Sequence, residues 1–208
     1  MSDDAVIGVI LAGGRSKRMG GGDKFLRPLA GWPLIEWVLD RARPQVDELI
    51  INAVGDASRF EPYGLPVVAD VIDDFAGPLA GILTGLEWSI ANRPDAAWLV
   101  SFASDAPFVP HDLVSTMRDA VTAEGAEMAC AMSGERTHPV CGLWPVSLAG
   151  DMRRAMVEED MRKIDRWTAR YRLVHVDFPI GEIDPFFNVN QPDDLAEAEA
   201  LLSATGAP

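Results

Sequence analysis

The sequence has few of the residues on which disulfide scaffolds and zinc-binding proteins depend. It contains two cysteines and three histidines; the cysteines lack C-x-x-C spacing and the histidines are scattered. A Cys/His zinc site therefore has little support. Cys130 and Cys141 both lie in apolar, strand-like segments, which predicts buried free thiols in a reducing compartment.

Basic residues are also scarce, with 18 Lys and Arg against 32 Asp and Glu and a net charge of −14. Because neither a phosphate backbone nor anionic lipid attracts such a chain, we expect no nucleic acid and no membrane among its partners. Apolar runs long enough to span a bilayer are missing as well. Residues 1–4 are acidic where a signal peptide is basic, so we expect a cytoplasmic location.

The length and the pattern of apolar residues predict the fold class. At 208 residues the chain fits one domain, residues 1–208, with a full hydrophobic core. Strand-like runs alternate with helical stretches, which predicts a mostly parallel sheet in a three-layer α/β/α fold. We expect strands at residues 6–12, 48–54, 65–69, 97–103, 127–132, 140–144 and 173–178. We expect helices at residues 33–44, 75–92, 110–125, 146–157 and 161–171 and from 192 onward, and a hairpin loop or a flap at 133–137.

The stretch after the first strand combines glycines with an unusual concentration of positive charge. Gly13 and Gly14 follow the strand, and three more glycines at 20–22 precede Asp23. Glycines let the backbone bend around a ligand with its N–H groups exposed, which suits a phosphate at the carboxyl end of a strand. The cations of this stretch are Arg15, Lys17, Arg18, Lys24 and Arg27. In an acidic chain they predict a bound polyanion rather than a solvated loop.

Polar side chains follow three further strands. Asn52 lies near the carboxyl end of the second strand, Asp70 follows the third, and Asp105 follows the most apolar strand. Because ligands of open α/β sheets gather at the carboxyl ends of the strands, these residues and Gly13 predict a nucleotide site. The alternatives are a turn formed by Asn52 and helix or turn caps formed by the two aspartates.

Four motifs together resemble one family. The loop reads L-A-G-G-x-S-x-R-M-G-(x)-D-K at residues 11–24, which is neither a P-loop nor a dinucleotide fingerprint. P-L-A-G follows at 78–81, D-A-P at 105–107 and F-N-V-N at 187–190. The combination covers nearly the whole chain and resembles the molybdenum cofactor guanylyltransferases (MobA), which have LAGG where many sugar nucleotidyltransferases have LAAG. The three glycines before Asp23 depart from the usual loop by one residue.

The resemblance implies a Rossmann-like, glycosyltransferase-A-like nucleotidyltransferase fold and a specific reaction. GMP would pass from GTP to the molybdenum–molybdopterin cofactor, releasing pyrophosphate and forming molybdopterin guanine dinucleotide. The attacking phosphate is already an anion, so alignment and charge neutralisation with Mg²⁺ would suffice without a nucleophilic side chain. The implied partners are GTP, the molybdenum–molybdopterin, other cofactor-biosynthesis proteins and recipient molybdoenzymes, and we expect a monomer.

The strand-edge argument and the resemblance together give the expected site residues. Catalytic roles are expected for Arg18, Lys24 and Asp105. Nucleotide binding is expected for Leu11, Ala12, Gly13, Gly14, Lys24, Asn52, Asp70, Gly81 and Asp105. Mg²⁺ binding is expected for Asp105 and Asn190, and pterin binding for Asn188, Asn190 and Arg162. The alternatives are helix–strand packing for Gly81, a hydrogen-bonded turn for the two asparagines, and a solvated helix face for Arg162.

Two other functions fit the same residues. One is the same chemistry with another base or acceptor, such as cytidylyl transfer to molybdopterin or transfer to a sugar or polyol phosphate. The other is a non-catalytic nucleotide-binding adaptor for molybdoenzyme maturation. The LAGG and P-L-A-G motifs favour guanylyl transfer, and the presence of both Lys24 and Asp105 argues against an adaptor.

Overall fold

The strands form a seven-stranded sheet covered by helices on both faces. The computed structural model describes residues 4–13, 23–72 and 77–205. The strands are β1 (Ala5–Leu11), β2 (Pro28–Leu29), β3 (Trp32–Pro33), β4 (Glu48–Asn52), β5 (Val67–Val68), β6 (Ala96–Ala103), β7 (Met128–Ser133), β8 (Arg136–Pro145) and β9 (Leu173–Asp177). The helices are α1 (Leu34–Ala42), α2 (Pro78–Asn92), α3 (Leu113–Glu124), α4 (Ala149–Glu159), α5 (Ile164–Thr168) and α6 (Pro192–Thr205). Short 3-10 helices lie at Lys24–Leu26, Arg43–Gln45, Ala57–Tyr63 and Val146–Leu148.

The order of the strands brings four parallel strands side by side. The sheet runs β5-β4-β1-β6-β8-β7-β9, while β2 and β3 form a separate two-stranded ribbon. Strands β5, β4, β1 and β6 pair in parallel, as do β7 and β9. Strand β8 runs antiparallel to both of its neighbours, β6 and β7. The predicted mostly parallel sheet is confirmed.

Strand β1 shows why both faces of the sheet need helices. Val6 and Ile10 belong to a buried cluster with residues of α1 and α3, whereas Ile7 and Val9 belong to a second cluster with residues of α2, α4 and α5. Successive side chains of a strand point to opposite faces, so an apolar residue at each position must be covered on both sides. The predicted three-layer α/β/α arrangement is therefore confirmed. A third cluster joins β2, α1 and α6.

The stretch at 133–137 is a tight hairpin turn, so the hairpin alternative is right. Strand β7 extends through Ser133 and β8 already begins at Arg136, four residues before the predicted start at 140. Ser133 pairs with Arg136, which leaves a two-residue turn in which Gly134 has a φ of +46°. The first residues of β8 are polar because this end of the strand is exposed, which is why they were predicted as loop.

Several helix boundaries also differ from the prediction: α3 begins at Leu113 instead of 110, and α4 runs from Ala149 to Glu159 instead of 146–157. The helix predicted at 161–171 covers only Ile164–Thr168, because Asp160 ends α4 with a left-handed φ of +51° and Lys163 has extended backbone. Pro33 pairs in β3 and precedes α1 as its cap residue instead of occupying the first helical position. The last two differences arise at chain reversals that a hydrophobic pattern does not encode.

The two cysteines are buried and free, as predicted. Burial raises the pKa of both thiols, Cys130 and Cys141, to about 12. Within the described ranges no helix combines the length and apolarity needed to cross a membrane.

Candidate active site

The carboxyl ends of β1, β4, β5 and β6 meet at one edge of the sheet. Leu11 is aligned with Asn52 on one side and with Ala103 on the other, and Asn52 is aligned in turn with Val68. The residues that follow these strand ends are therefore neighbours in space although they are distant in sequence. The structure thus brings together the strand ends on which the sequence-based site depends.

Lys24 contacts the loop that follows β6 at this edge. Its ammonium donates hydrogen bonds to Asp105 Oδ2 at 2.5 Å and to Asn190 Oδ1 at 2.7 Å. The lysine and aspartate side chains keep 16% and 25% of their surface exposed, so the ion pair is partly desolvated but remains accessible to a ligand. A single positive charge is thereby held between a carboxylate oxygen and an amide oxygen.

Backbone hydrogen bonds hold in place the two residues, Asp105 and Asn190, whose side-chain oxygens accept from Lys24. The turn after β6 is closed by the N–H of Ala106, which donates to the carbonyl of Ala103 at 3.3 Å, and the carbonyl of Asp105 accepts from the N–H of Val189 at 2.9 Å. Asp194, in the first turn of α6, accepts the N–H of Asn190 at 2.6 Å. The aspartate loop and the asparagine segment are thus joined directly, independently of the lysine.

A second cluster at the edge contains Asn52 and Asp70. Asn52 is 4% exposed, and its Nδ2 donates to Asp70 Oδ1 at 2.9 Å and to the carbonyl of Val68 at 3.2 Å. Its backbone carbonyl accepts the N–H of Ala12 at 2.8 Å. Asn52 is the last residue of β4 and links β1 to β5, which gives it a position beside the predicted nucleotide loop rather than in a turn of its own.

Gly81 lies in the first turn of α2 and packs against this cluster. A Cβ at position 81 would overlap Asn52 Oδ1 and would stand 2.6 Å from Leu11 Cδ2. The structure therefore shows the helix–strand packing that was one of the two alternatives for Gly81. Its contact with a base stays a prediction, as does that of Gly13, whose added Cβ would lie 4.0 Å from Asn52 Oδ1.

Some predicted site residues are not brought to the cluster. Asn188 Nδ2 donates to the carbonyl of Phe186 at 3.2 Å, so its amide supports its own turn while that of Asn190 accepts from Lys24. Arg162 pairs with Asp160 at 2.8 Å, directly after the end of α4. Gly14 and Arg18 lie outside the described residues.

Sequence reasoning missed a trio of two buried residues, Ser133 and His138, and the partly buried Asp184, which supports the asparagine segment. The hydroxyl of Ser133 donates to Asp184 Oδ1 at 2.8 Å and lies 2.8 Å from His138 Nε2. Since the single hydroxyl proton is used by Asp184, the histidine Nε2–H donates to the serine oxygen. Asp184 also accepts the N–H of Phe186, whose ring stacks on the imidazole at 4.6 Å. Burial lowers the pKa of His138.

Sequence reasoning also missed Arg59, which contacts both residues that flank Lys24. It pairs with Asp23 and lies over the ring of Phe25. No motif contains Arg59, and the only signal in the sequence was an arginine shortly after the second predicted strand.

The two side-chain oxygen atoms that accept from Lys24 suit a hard divalent cation. Mg²⁺ takes carboxylate and carbonyl oxygens as ligands, and Asp105 Oδ2 and Asn190 Oδ1 already converge on one cation, the lysine ammonium. Within the described part of the chain, no group of three or more His, Cys, Asp or Glu residues is arranged so that it could hold a metal ion. A metal at this edge would therefore depend on few protein ligands and on phosphate oxygens of the substrate, as is usual for Mg²⁺.

A parallel-strand edge that collects a lysine, a carboxylate and side-chain amides in an α/β/α fold is typical of Rossmann-like nucleotidyltransferases. Comparison with known families makes this class specific. The model of the MobA-like NTP transferase domain matches residues 8–174, and the chain belongs to this family.

Similar proteins agree with this assignment. A molybdenum cofactor guanylyltransferase of Nitrobacter hamburgensis is 52% identical over 199 residues, covering 96% of this chain and 95% of the relative. One of a Bradyrhizobium species is 53% identical, with 96% and 94% covered. Among solved structures, the molybdopterin-guanine dinucleotide biosynthesis protein A of Archaeoglobus fulgidus is 25% identical with a TM-score of 0.72, covering 95% of this chain and 99% of that one. The family resemblance and the nucleotidyltransferase fold predicted from sequence are confirmed.

Proposed function

We propose that the protein transfers GMP from GTP to the molybdenum–molybdopterin cofactor and releases pyrophosphate. The observation that carries the proposal is the lysine ammonium held between Asp105 and Asn190 at the sheet edge. A lysine in this position can turn to phosphate oxygens, and a carboxylate beside it can hold a metal. The names of relatives that are 52% and 53% identical over nearly the whole chain support guanine as the base and molybdopterin as the acceptor.

The chain's own residues would align the reactants. The ammonium of Lys24 would neutralise the triphosphate, and the backbone N–H of Gly13 would face it, since the N–H of Ala12 already donates to the carbonyl of Asn52. Asn52 and Asp70 would contact the nucleoside, because their polar atoms lie beside the end of β1. An oxygen of the acceptor phosphate attacks the α-phosphorus, and the electrons of the breaking P–O bond leave with pyrophosphate. Alignment and charge neutralisation are the means of catalysis.

Asp105 and Asn190 would hold Mg²⁺ in this proposal. When bound, the ion would act as a Lewis acid that neutralises the charge developing on the phosphates. Lys24 would then leave its place between the two oxygens and contact the triphosphate. Arg18 remains a proposed catalytic residue and Gly14 a proposed nucleotide contact, and Asn188 and Arg162 remain proposed pterin contacts.

The reaction can be tested with the purified protein, GTP, Mg²⁺ and molybdenum–molybdopterin. We expect pyrophosphate release in step with formation of the guanine dinucleotide, detected by mass spectrometry. CTP, UTP and ATP in parallel reactions would reveal another base preference. Tight GTP binding without pyrophosphate release would contradict catalysis and favour the adaptor.

The variant Asp105→Asn tests the proposed metal ligand. It keeps the size of the side chain but removes its charge, and loss of one preorganised electrostatic group costs about 10²–10³ in rate. We expect this loss in single turnovers at every magnesium concentration, with little change in melting temperature. Asp95→Asn is the control, since Asp95 pairs with Arg93 before the amino end of β6. A near-normal rate for Asp105→Asn would refute the metal assignment.

A further inference from the structure

One arginine contacts both neighbours of Lys24. Arg59, in the 3-10 helix Ala57–Tyr63, forms an ion pair with Asp23, and its Cζ lies 5.7 Å from the centre of the Phe25 ring. The side chains of Arg59 and Asp23 are each 26% exposed, so the ion pair is partly shielded from water. The residues immediately before and after Lys24 therefore both contact the same guanidinium.

The guanidinium is itself held in place by the backbone that follows β4. Its Nε donates to the carbonyl of Asp56 at 2.7 Å, and its Nη2 donates to the carbonyl of Val54 at 2.8 Å. It also lies over the ring of Phe60, 5.3 Å from the ring centre, and the Phe60 and Phe25 rings stack at 4.6 Å. Each of its nitrogens donates a hydrogen bond, and both rings pack against it. Arg59 thus ties the end of the strand that carries Asn52 to the segment that carries Lys24.

The segment of Lys24 needs such an external anchor. The helix Lys24–Leu26 has three residues, and the hydrogen bonds that close it are those from Leu26 N to Asp23 O and from Arg27 N to Lys24 O, both 3.1 Å. So short a helix is not stable by itself, because fixing its backbone costs more entropy than its few hydrogen bonds return. The lysine side chain adds four flexible carbons between this backbone and the ammonium.

We propose that Arg59 is a positioning residue for Lys24. By holding Asp23 and Phe25 it fixes the backbone of the lysine, so that the ammonium is presented to the β- and γ-phosphates of a nucleoside triphosphate. The proposal rests on the proposed function for its ligand. Arg59 itself touches no substrate in this proposal, and its effect on binding passes through Lys24 alone.

A lysine at position 59 would keep the charge but not the geometry. One ammonium cannot reproduce a planar fork that donates to Asp23, Val54 and Asp56 while it packs on aromatic rings. Arg59→Lys therefore isolates positioning from net charge. Arg93→Lys is the matched control, because Arg93 pairs with Glu48 at 3.2 Å and with Asp95 at 3.0 Å beside the amino ends of β4 and β6, away from the site.

The binding experiment compares GTP with guanosine by calorimetry, in the presence of Mg²⁺. We expect Arg59→Lys to weaken GTP binding roughly 10- to 100-fold, the cost of one lost charge-assisted hydrogen bond to phosphate, and to leave guanosine binding unchanged. Arg93→Lys should leave both unchanged. Equal weakening of GTP and guanosine would indicate a general structural role and would overturn the proposal, as would unchanged GTP affinity.

Asp23→Asn separates positioning from direct phosphate binding by the sign of its effect. If Arg59 positions Lys24, loss of the Asp23 charge loosens the anchor and weakens GTP binding. If Arg59 contacts phosphate itself, removal of a neighbouring negative charge should strengthen GTP binding. Stronger binding by Asp23→Asn would therefore overturn the proposal.

Hydrogen exchange in the ligand-free protein tests the anchor independently of GTP. The amides of Leu26 and Arg27 are hydrogen-bonded in the short helix, so they should exchange faster in Arg59→Lys than in Arg93→Lys. Unchanged exchange would overturn the proposal. If the wild-type protein fails to bind GTP, the proposed function fails, while the exchange rates still decide whether Arg59 anchors the lysine segment.

Discussion

Gly81→Ala is the substitution for which the structure gives the sharpest expectation. The new Cβ would overlap Asn52 Oδ1 and approach Leu11 Cδ2 to 2.6 Å, closer than real Cβ atoms come to their neighbours. The end of the leucine side chain can turn away. Asn52 cannot yield as easily, because its amide donates to Asp70 and to the carbonyl of Val68. We expect Asn52 to rotate and to lose its hydrogen bond to Asp70.

Three effects determine the change in the free energy of unfolding. Alanine in place of glycine inside α2 stabilises the helix by about 0.8–1 kcal/mol. Overpacking of a well-filled site costs about 1–3 kcal/mol, and the lost amide–carboxylate hydrogen bond costs about 1 kcal/mol more. The net result is a destabilisation of about 1–3 kcal/mol, which lowers the melting temperature by roughly 2–12 °C for a domain of this size.

Gly85→Ala is the matched control on the same face of the same helix. Its Cβ would meet hydrocarbon instead of the site: Leu99 Cδ2 at 2.9 Å and Val9 Cβ at 3.2 Å. We expect a similar loss of stability without an effect on the nucleotide. Gly150→Ala controls for helix propensity, because nothing lies within 4 Å of a Cβ there, and it should stabilise by about 0.4–1 kcal/mol.

Calorimetry measures both quantities on the same samples. Gly81→Ala should bind GTP about tenfold more weakly than the wild type, a change of about 1.4 kcal/mol, whereas Gly85→Ala should bind it normally. A melting temperature for Gly81→Ala at or above the wild-type value would refute the packing argument. Lower stability with wild-type GTP affinity would show that Asn52 does not contact the nucleoside.

Two further predictions concern single charges. Lys24→Met should weaken GTP binding roughly 10- to 100-fold while guanosine binding and the Lys163→Met control stay normal; unchanged GTP affinity would contradict the phosphate role. The pKa of folded His138 is lowered chiefly by burial, partly offset by Asp184 and reinforced by Arg136. As the pH falls below the unfolded value of about 6.5, the unfolded chain takes up a proton first and stability is lost. His138→Gln should therefore lose less unfolding free energy than the wild type between pH 7.5 and 5.5, as measured with urea, and an equal loss would disprove the assignment.

Much of the architecture follows from local sequence pattern. Apolar residues at every position of β1 require helices on both faces, and Gly125, with a φ of +62°, ends α3 where the sequence predicted it. The motifs at residues 11–24, 78–81, 105–107 and 187–190 identified the family, because they are short and contiguous. The edge of the sheet could also be predicted, since parallel strands place their carboxyl ends together.

Strand pairing and the exposed start of β8 were harder to predict from the sequence. The residues from Arg136 onward are polar because one end of the strand faces solvent, and only their pairing with β7 makes them a strand. The sequence also did not determine which of two asparagine side chains contacts Lys24. Asn188 and Asn190 have the same side chain and alternate positions, and both amides donate to a nearby backbone carbonyl, yet it is the oxygen of Asn190 that accepts from Lys24.

The contacts that complete the site join distant parts of the chain. Lys24 and Asn190 are separated by 166 residues, and Arg59 reaches Asp23 across 36. Hydrophobic periodicity records which face of an element is buried, but it carries no information on which loops meet above the sheet. That depends on the order of the strands, β5-β4-β1-β6, which places the lysine segment, the aspartate loop and the asparagine segment at one edge. The sequence by itself determined the layers and the family, and the tertiary structure decided which charges and amides meet.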